Sequence, residues 1–313
     1  MSPVFTVGFA RAYAVTARPY LCFVSGATGL VGIALTRSLS TLGTLVASCV
    51  FFAAYGLGQA LTDVTQLDTD ALSAPYRPMV RGLIRPRDVL WVSLAGLALC
   101  ALVLFAFNPA IALFAAVPIL GLATYTPMKR RYWAGPVWNS WIVATLPLLG
   151  ALTGGRSVGD ALGDPALRRA MATAFFAYMT FVLLGYLKDV EADRRTGYVT
   201  LPVRFGRRTT VAVSFVCALL SFAFSLPPAS GAPAGGVALW LLGAVMLVLG
   251  HARAWFVTSD ARAHAAITMG LRGYVAMHLG QAVLLRPSLL LGGVAMLVAF
   301  EMVLARRPST EQV

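Results

Sequence analysis

The 313-residue sequence predicts an all-α membrane protein: a polytopic bundle of about nine transmembrane helices, arranged as two pseudo-repeated halves around a central cavity. Three observations predict it. Hydrophobic residues make up 58% of the chain and charged residues 12%, with a mean hydropathy of +0.77, against roughly 45–50% apolar and 25% charged in soluble domains. Apolar stretches of about 18–20 residues recur, the length an α-helix needs to cross roughly 30 Å of hydrocarbon. Half of the 12 acidic residues fall into two short groups, Asp63, Asp68 and Asp70 in one, Asp189, Glu191 and Asp193 in the other. Each group is followed by a basic stretch, and such a repeated pattern marks two related halves.

The spans are read in order near 20–38, 43–62, 89–107, 109–126, 136–154, 168–187, 209–226, 235–257 and 287–304. The segment before the first of them, MSPVFTVGFARAYAVTARP, has no small-residue cleavage pattern and is expected to be retained. The stretch 258–286, with AAITMGLRGYVAMHLGQAVLL, is open to three readings: it lies in the interface, re-enters, or forms a tenth span that returns the C-terminus to the side of the N-terminus. Cys22, Cys49, Cys100 and Cys217 stand singly in apolar runs, so no disulfide framework or CxxC metal site is indicated. His251, His264 and His278 follow no ligand spacing. The net charge of +13 divides by membrane side: 19 of the 25 Lys and Arg fall in the N-terminal segment, the stretches after spans 2, 4, 6 and 8 and, for Arg253, the end of span 8. The positive-inside rule places those in the cytoplasm. The partner of this charge is therefore a lipid bilayer, the cell membrane, and not nucleic acid.

Both acidic groups stand at the cytoplasmic end of a span. If the helices continue through them, Asp63 and Asp70 lie two turns apart with Gln66 between, and Asp189 and Asp193 lie one turn apart, so each set shares a face. A carboxylate at hydrocarbon depth costs about 2.5–3.5 kcal/mol even on lenient insertion scales. Arg77, Lys129, Arg130, Arg131 and Lys188 are near enough in sequence to compensate. Acids at a helix C-terminus oppose the macrodipole, so capping explains them poorly; a solvated rim is the plainer alternative. Hard oxygen donors in this pattern suit Mg²⁺, which bridges one or two carboxylates to phosphate oxygens. Arg and Lys would hold the remaining oxygens of a diphosphate, and a site opening into a bundle at bilayer depth suits one with a long apolar chain.

These residues resemble the UbiA-type superfamily of intramembrane prenyltransferases, which includes terpene cyclases. The family has a first motif NDxxDxxxD followed by PYRP and a second, YxKDxEGD, followed by TLPVRxG. Residues 186–206, YLKDVEADRRTGYVTLPVRFG, match the second nearly throughout, and 125–139, YTPMKRRYWAGPVWN, resemble the region between spans 4 and 5. The first motif, residues 62–78, departs: Thr62 replaces Asn, Gln66 replaces the middle Asp, and Asp68 is an additional acid. The resemblance runs from about residue 18 to the last span and implies that residues 1–313 form a single domain. It implies Mg²⁺ held by Asp63, Gln66 and Asp70 on one side and Asp189 and Asp193 on the other, with catalysis centred on the four aspartates. Arg77, Lys129, Arg130 and Lys188 would bind the diphosphate.

The implied function is ionisation of an isoprenyl diphosphate and transfer of the prenyl group to an aromatic or other lipophilic acceptor. The rival within the fold is cyclisation of a C15–C25 diphosphate, and a remoter one is cation transport through intramembrane acids. Phe52 and Tyr55 below Asp63, and Tyr178 and Phe181 below Asp189, are expected to line a dry cavity and stabilise an allylic cation. Tyr125, Trp133, Trp138 and Asn139 are placed at its mouth or near an acceptor. No P-loop, dinucleotide glycine pattern or nucleophile elbow stands out.

Overall fold

Sixteen α-helices and no strand are found among the described residues, 2–36 and 38–307 of a computed structural model. In chain order they are α1 (Val7–Ala17), α2 (Cys22–Ala34), α3 (Thr41–Asp63), α4 (Leu67–Ser73), α5 (Pro86–Phe107), α6 (Ile111–Arg131), α7 (Gly135–Ala144), α8 (Leu146–Leu152), α9 (Val158–Gly163), α10 (Pro165–Gly185), α11 (Val190–Arg195), α12 (Leu201–Phe205), α13 (Arg207–Ser225), α14 (Ala234–Ala254), α15 (His264–Leu285) and α16 (Leu290–Ala305). The expectations that touch Arg37 and residues 308–313 lie outside the described residues. Local chemistry sets the helix starts. Ser40 caps α3 by accepting from the Gly43 amide, Asp164 caps α10, and Pro86 and Pro165 open α5 and α10, where a missing N–H costs nothing.

Among the described residues seven helices are long and apolar enough to cross a membrane, against the nine spans expected: α3, α5, α6, α10 with its extension to Lys188, α13, α14, and α16 with the turn before it. The other expected spans differ for identifiable reasons. The first becomes α2, only 13 residues long and buried throughout. The fifth is divided at Thr145, because Pro147 has no N–H to give the carbonyl one turn earlier. The open stretch 258–286 becomes α15, a 22-residue helix packed against α14, α2 and α10 with nearly every side chain buried. At 1.5 Å per residue it is about 33 Å long, enough to cross. Its Arg272, His278 and Gln281 lower its hydropathy because it faces protein rather than lipid. Arg272 grips Glu301 of α16 through a forked pair at 2.8 Å, so Glu301 is anchored and not merely reaching for the interface.

Helix contacts are close where glycines meet backbone. A Cβ on Gly32 would stand 2.0 Å from the Pro147 carbonyl oxygen, and one on Gly243 would stand 2.5 Å from the Met277 nitrogen. Small residues at these crossings let α2 meet α8 and α14 meet α15 backbone to backbone, the packing that holds helices together where lipid removes the hydrophobic drive.

The two acidic motifs occupy equivalent places. α3 ends at Asp63, the chain breaks over residues 64–66, and α4 turns back; α10 ends in a 3-10 turn, Tyr186–Lys188, Asp189 leaves helical geometry, and α11 follows. The expected continuous helices through the acids are therefore not present. α4 packs on α11, and the Thr69 and Thr196 hydroxyls meet at 3.0 Å.

Candidate active site

The breaks turn both motifs over one cavity. Asp63, Gln66, Asp70, Arg77, Lys129, Lys188 and Asp189 line its polar end, and helices α3, α5, α6, α8 and α10 wall the apolar remainder. Asp193 stands behind Lys129, 3.3 Å from its ammonium and fully buried.

Each aspartate is held by a cation. Arg18 reaches Asp63 at 2.6 Å, Arg77 bridges Asp63 at 3.6 Å and Asp70 more closely, and Lys188 contacts both oxygens of Asp189 at 3.0 Å. With Lys129 on Asp193, four carboxylates face four cations, and the cluster is electrically balanced. Burial makes this arrangement demanding, since an unpaired charge here would be left without solvent. Gln59 donates to Asp63 at 2.8 Å, and Gln66 accepts from Lys129 at 3.4 Å. Lys129 also lies over the rings of Tyr186 and Tyr198, at 5.1 and 4.9 Å.

Asp70 and Asp189 titrate in opposite directions, and burial raises Asp193 as it does Asp70. Burial pushes the Asp70 carboxyl up to about 6, despite Arg77 and with help from Asp63. Burial would also raise Asp189, but Lys188, Lys129 and Arg77 pull it down to about 2. Asp70 thus binds its proton more tightly folded than unfolded; its contribution to stability is full below the ordinary value of 3.8 and is lost as pH rises through about 6. The Asp189 contribution has the other sign, present above 3.8 and lost as pH falls through about 2. In metal-free protein, the melting temperature is expected to fall between about pH 4 and pH 6.5, and Asp70→Asn is expected to flatten that fall. A slope unchanged in the variant would remove Asp70 as its source.

Below the charges lies a belt of phenols. The Tyr55 and Tyr178 hydroxyls meet at 2.9 Å, as do those of Tyr125 and Tyr186, and Asn139 lines the cavity with them. Tyr55, Tyr178 and Phe181 line the cavity as expected.

Phe52, Arg130, Asp193, Trp133 and Trp138, expected at the cavity, are not among its lining residues; Asp193 lies behind Lys129, Trp133 packs edge-on to Phe205 and Trp138 edge-on to Trp141. Phe52 is outside the cavity, edge-on to Phe23 of α2 with ring centroids 4.7 Å apart, while Phe51 takes its place in the lining. Phe52 instead packs over Gly26 of α2, where the missing side chain leaves room for its ring. Arg130 is not among the lining residues either. It sits on the rim, pairing with Asp68 at 2.8 Å and donating to the Tyr198 hydroxyl at 3.0 Å, and so ties the first motif to the tail of the second. Arg130→Ala is accordingly expected to lower turnover less than about fivefold, where Lys129→Ala lowers it by about 10²-fold or more. Equal losses in steady-state assays would return Arg130 to the interior. Sequence reasoning missed Arg18, whose left-handed backbone (φ 50°) turns the chain between α1 and α2 toward Asp63. The signal was an Arg-Pro pair directly before the first apolar run; it was read only as a topogenic charge.

Among the described residues, no three His, Cys, Asp or Glu side chains stand close enough to hold a metal by themselves. That suits Mg²⁺, which takes one or two carboxylates and fills its octahedron with water and phosphate oxygens. The donors on offer are hard carboxylate and amide oxygens, so they fit such an ion arriving with an anion.

Known proteins place this site in context. The chain is similar to digeranylgeranylglyceryl phosphate synthase of Thermococcus kodakarensis, 28% identical over 243 residues that cover 76% of this chain and 84% of the relative. It is similar to the same enzyme of Thermococcus gammatolerans, 30% identical over 255 residues covering 76% and 87%. Among solved structures, a UbiA homolog from Aeropyrum pernix K1 superposes with a TM-score of 0.71 at 21% identity, covering 83% of this chain and 96% of that one. A UbiA homolog from Archaeoglobus fulgidus bound to DMAPP and Mg²⁺ superposes with a TM-score of 0.57 at 16% identity, covering 93% and 96%. The UbiA prenyltransferase family matches residues 22–279, from the start of α2 to near the end of α15, and the chain is an integral membrane member of that family.

Proposed function

We propose that the chain, as a single domain, is an Mg²⁺-dependent enzyme that ionises an isoprenyl diphosphate and transfers the prenyl group to a lipophilic acceptor. The observation that carries this is the balanced cluster of four aspartates and four cations closing an apolar cavity. A prenyl diphosphate brings about three negative charges near neutral pH. A cluster already at zero cannot accept them alone, but it can accept them with one or two Mg²⁺. Asp63, Gln66 and Asp70 would hold one ion and Asp189 and Asp193 another. Bound Mg²⁺ supplies charge stabilisation on the departing oxygens.

The chain's own residues do the rest. Arg18, Arg77, Lys129 and Lys188 exchange carboxylate partners for phosphate oxygens, which strengthens their grip as charge develops on the leaving group. The allylic C–O bond breaks and its electron pair leaves with the diphosphate. The rings of Tyr55, Tyr178 and Phe181 face the resulting cation, each worth about 0.5–2 kcal/mol, and the apolar walls exclude water. An acceptor oxygen or carbon then bonds to the prenyl carbon and gives up a proton. The names of the relatives support a phosphate-bearing glycerol lipid as the first acceptor to try. The basic charge distribution supports a cytoplasmic mouth, and an α15 that crosses the membrane would support a C-terminus on that side.

The test is purified protein with C10 to C25 prenyl diphosphates, with and without Mg²⁺ and a glyceryl phosphate carrying one geranylgeranyl chain. Diphosphate release that needs both the ion and the acceptor is the expected result. A cyclic hydrocarbon formed without acceptor would replace transfer by cyclisation, and ion flux in liposomes without turnover would replace both.

A further inference from the structure

The cavity has a measurable depth, and its far end is closed by protein. On α3 the lining runs from Asp63 up to Val50, thirteen residues or about 20 Å of helix. On α6 it runs from Lys129 to Ala115, fourteen residues or about 21 Å. Two helices thus give the same depth independently. At the far end Leu104 of α5 and Leu149 of α8 join Val50 and Ala115. One turn further, Ala47 and Ile111 are fully buried. Asn108, at the end of α5, donates to the Leu152 and Arg156 carbonyls at 3.0 and 2.9 Å, which fastens the α5–α6 turn to the end of α8. The end of the cavity is a sealed floor.

An extended isoprene unit adds four bonds of about 1.5 Å along a zigzag, or about 5 Å. Four units span about 20 Å. We infer that the cavity is a length gauge, with Leu104, Ala115 and Leu149 setting a ceiling of four isoprene units, so that a C20 diphosphate is the longest that fits. Below the phenol belt the only polar side chains lining this stretch, among the described residues, are the Cys100 thiol and the Ser25 hydroxyl, and the latter is spent on the Phe51 carbonyl, so the tail is selected by length and bulk. Ala115 is the sensitive position, because its small side chain leaves open space that a larger one would fill.

The inference rests on the prenyl diphosphate reading, and binding separates the two. The probes are non-ionising S-thiolo prenyl diphosphates of C10, C15, C20 and C25, titrated calorimetrically into the full chain in lipid nanodiscs with Mg²⁺. Affinity is expected to rise at least about tenfold with each unit up to C20, as buried apolar area grows, and to fall at least about tenfold at C25. Ala115→Phe is expected to move the break to C15 while C10 binding stays within about twofold, which also shows the variant folded. Leu104→Ala with Leu149→Ala is expected to recover C25 binding. C25 binding as tight as C20 in the wild type, or Ala115→Phe weakening every length alike, would overturn the gauge and leave the function standing. Binding at no length would overturn both.

Discussion

Asp189→Asn is expected to lower turnover by about 10²–10³-fold while tightening the binding of inorganic diphosphate measured without Mg²⁺. The opposite signs follow from the charge balance. The amide keeps the shape of the carboxylate but removes one negative charge, so the resting cluster becomes cationic and welcomes a bare anion. It also frees Lys188, which now contacts both Asp189 oxygens at 3.0 Å. The reaction suffers because one of the oxygens that would hold an ion beside the leaving group is lost. Steady-state rates and calorimetry with diphosphate, with and without Mg²⁺, check both halves. A wild-type rate in the variant would remove Asp189 from the proposed metal set, and unchanged Mg²⁺-free affinity would remove the charge-balance account.

Arg77→Met is expected to be the most destabilising single change at the site, costing about 3–5 kcal/mol and lowering the melting temperature by roughly 10 °C. Arg77 alone bridges Asp63 and Asp70, and its side chain is only 12% exposed. Methionine keeps the packing volume, abandons the buried Asp70 and leaves Asp63 to Arg18 and Gln59. Part of the loss is relieved because Asp70, already raised to about 6, takes up a proton. Millimolar Mg²⁺ is expected to restore more stability to Arg77→Met than to the wild type, since an ion can take the freed carboxylates. Lysine should rescue only partly: a point charge cannot span both acids as a guanidinium does. Equal stabilisation of both proteins by Mg²⁺, read by thermal unfolding, would disconnect the ion from Asp63 and Asp70.

Spans facing lipid were legible in the sequence to within a few residues, as at 43–62 against Thr41–Asp63 and 209–226 against Arg207–Ser225. Lipid demands an unbroken apolar run, and such a run can be seen. Helices facing protein were not legible in the same way: α15 carries a buried histidine and glutamine and a half-exposed arginine paired with Glu301, so no hydropathy window flags it. The acid groups were found because charge is rare in this chain. Their geometry was not, because Val64, Thr65 and Gln66 contain no glycine or proline to announce the end of α3. Phe52 shows the limit of helix-wheel reasoning, in which one residue of register exchanges Phe51 for Phe52. Arg130 shows another limit, since adjacency to Lys129 says nothing of which side chain turns inward.

The evenly matched charges at the cavity mouth bear on how such a protein survives among the abundant free phosphates of a cell. Lone nucleotides and orthophosphate find no surplus attraction there and are expected to be poor inhibitors, and loose divalent ions meet acids whose arms are already linked. On the proposed function, a reagent and its counterion arriving as a pair would unlock the mouth, and the spent leaving group would depart once its escort does, leaving acids and cations to pair again without any moving lid.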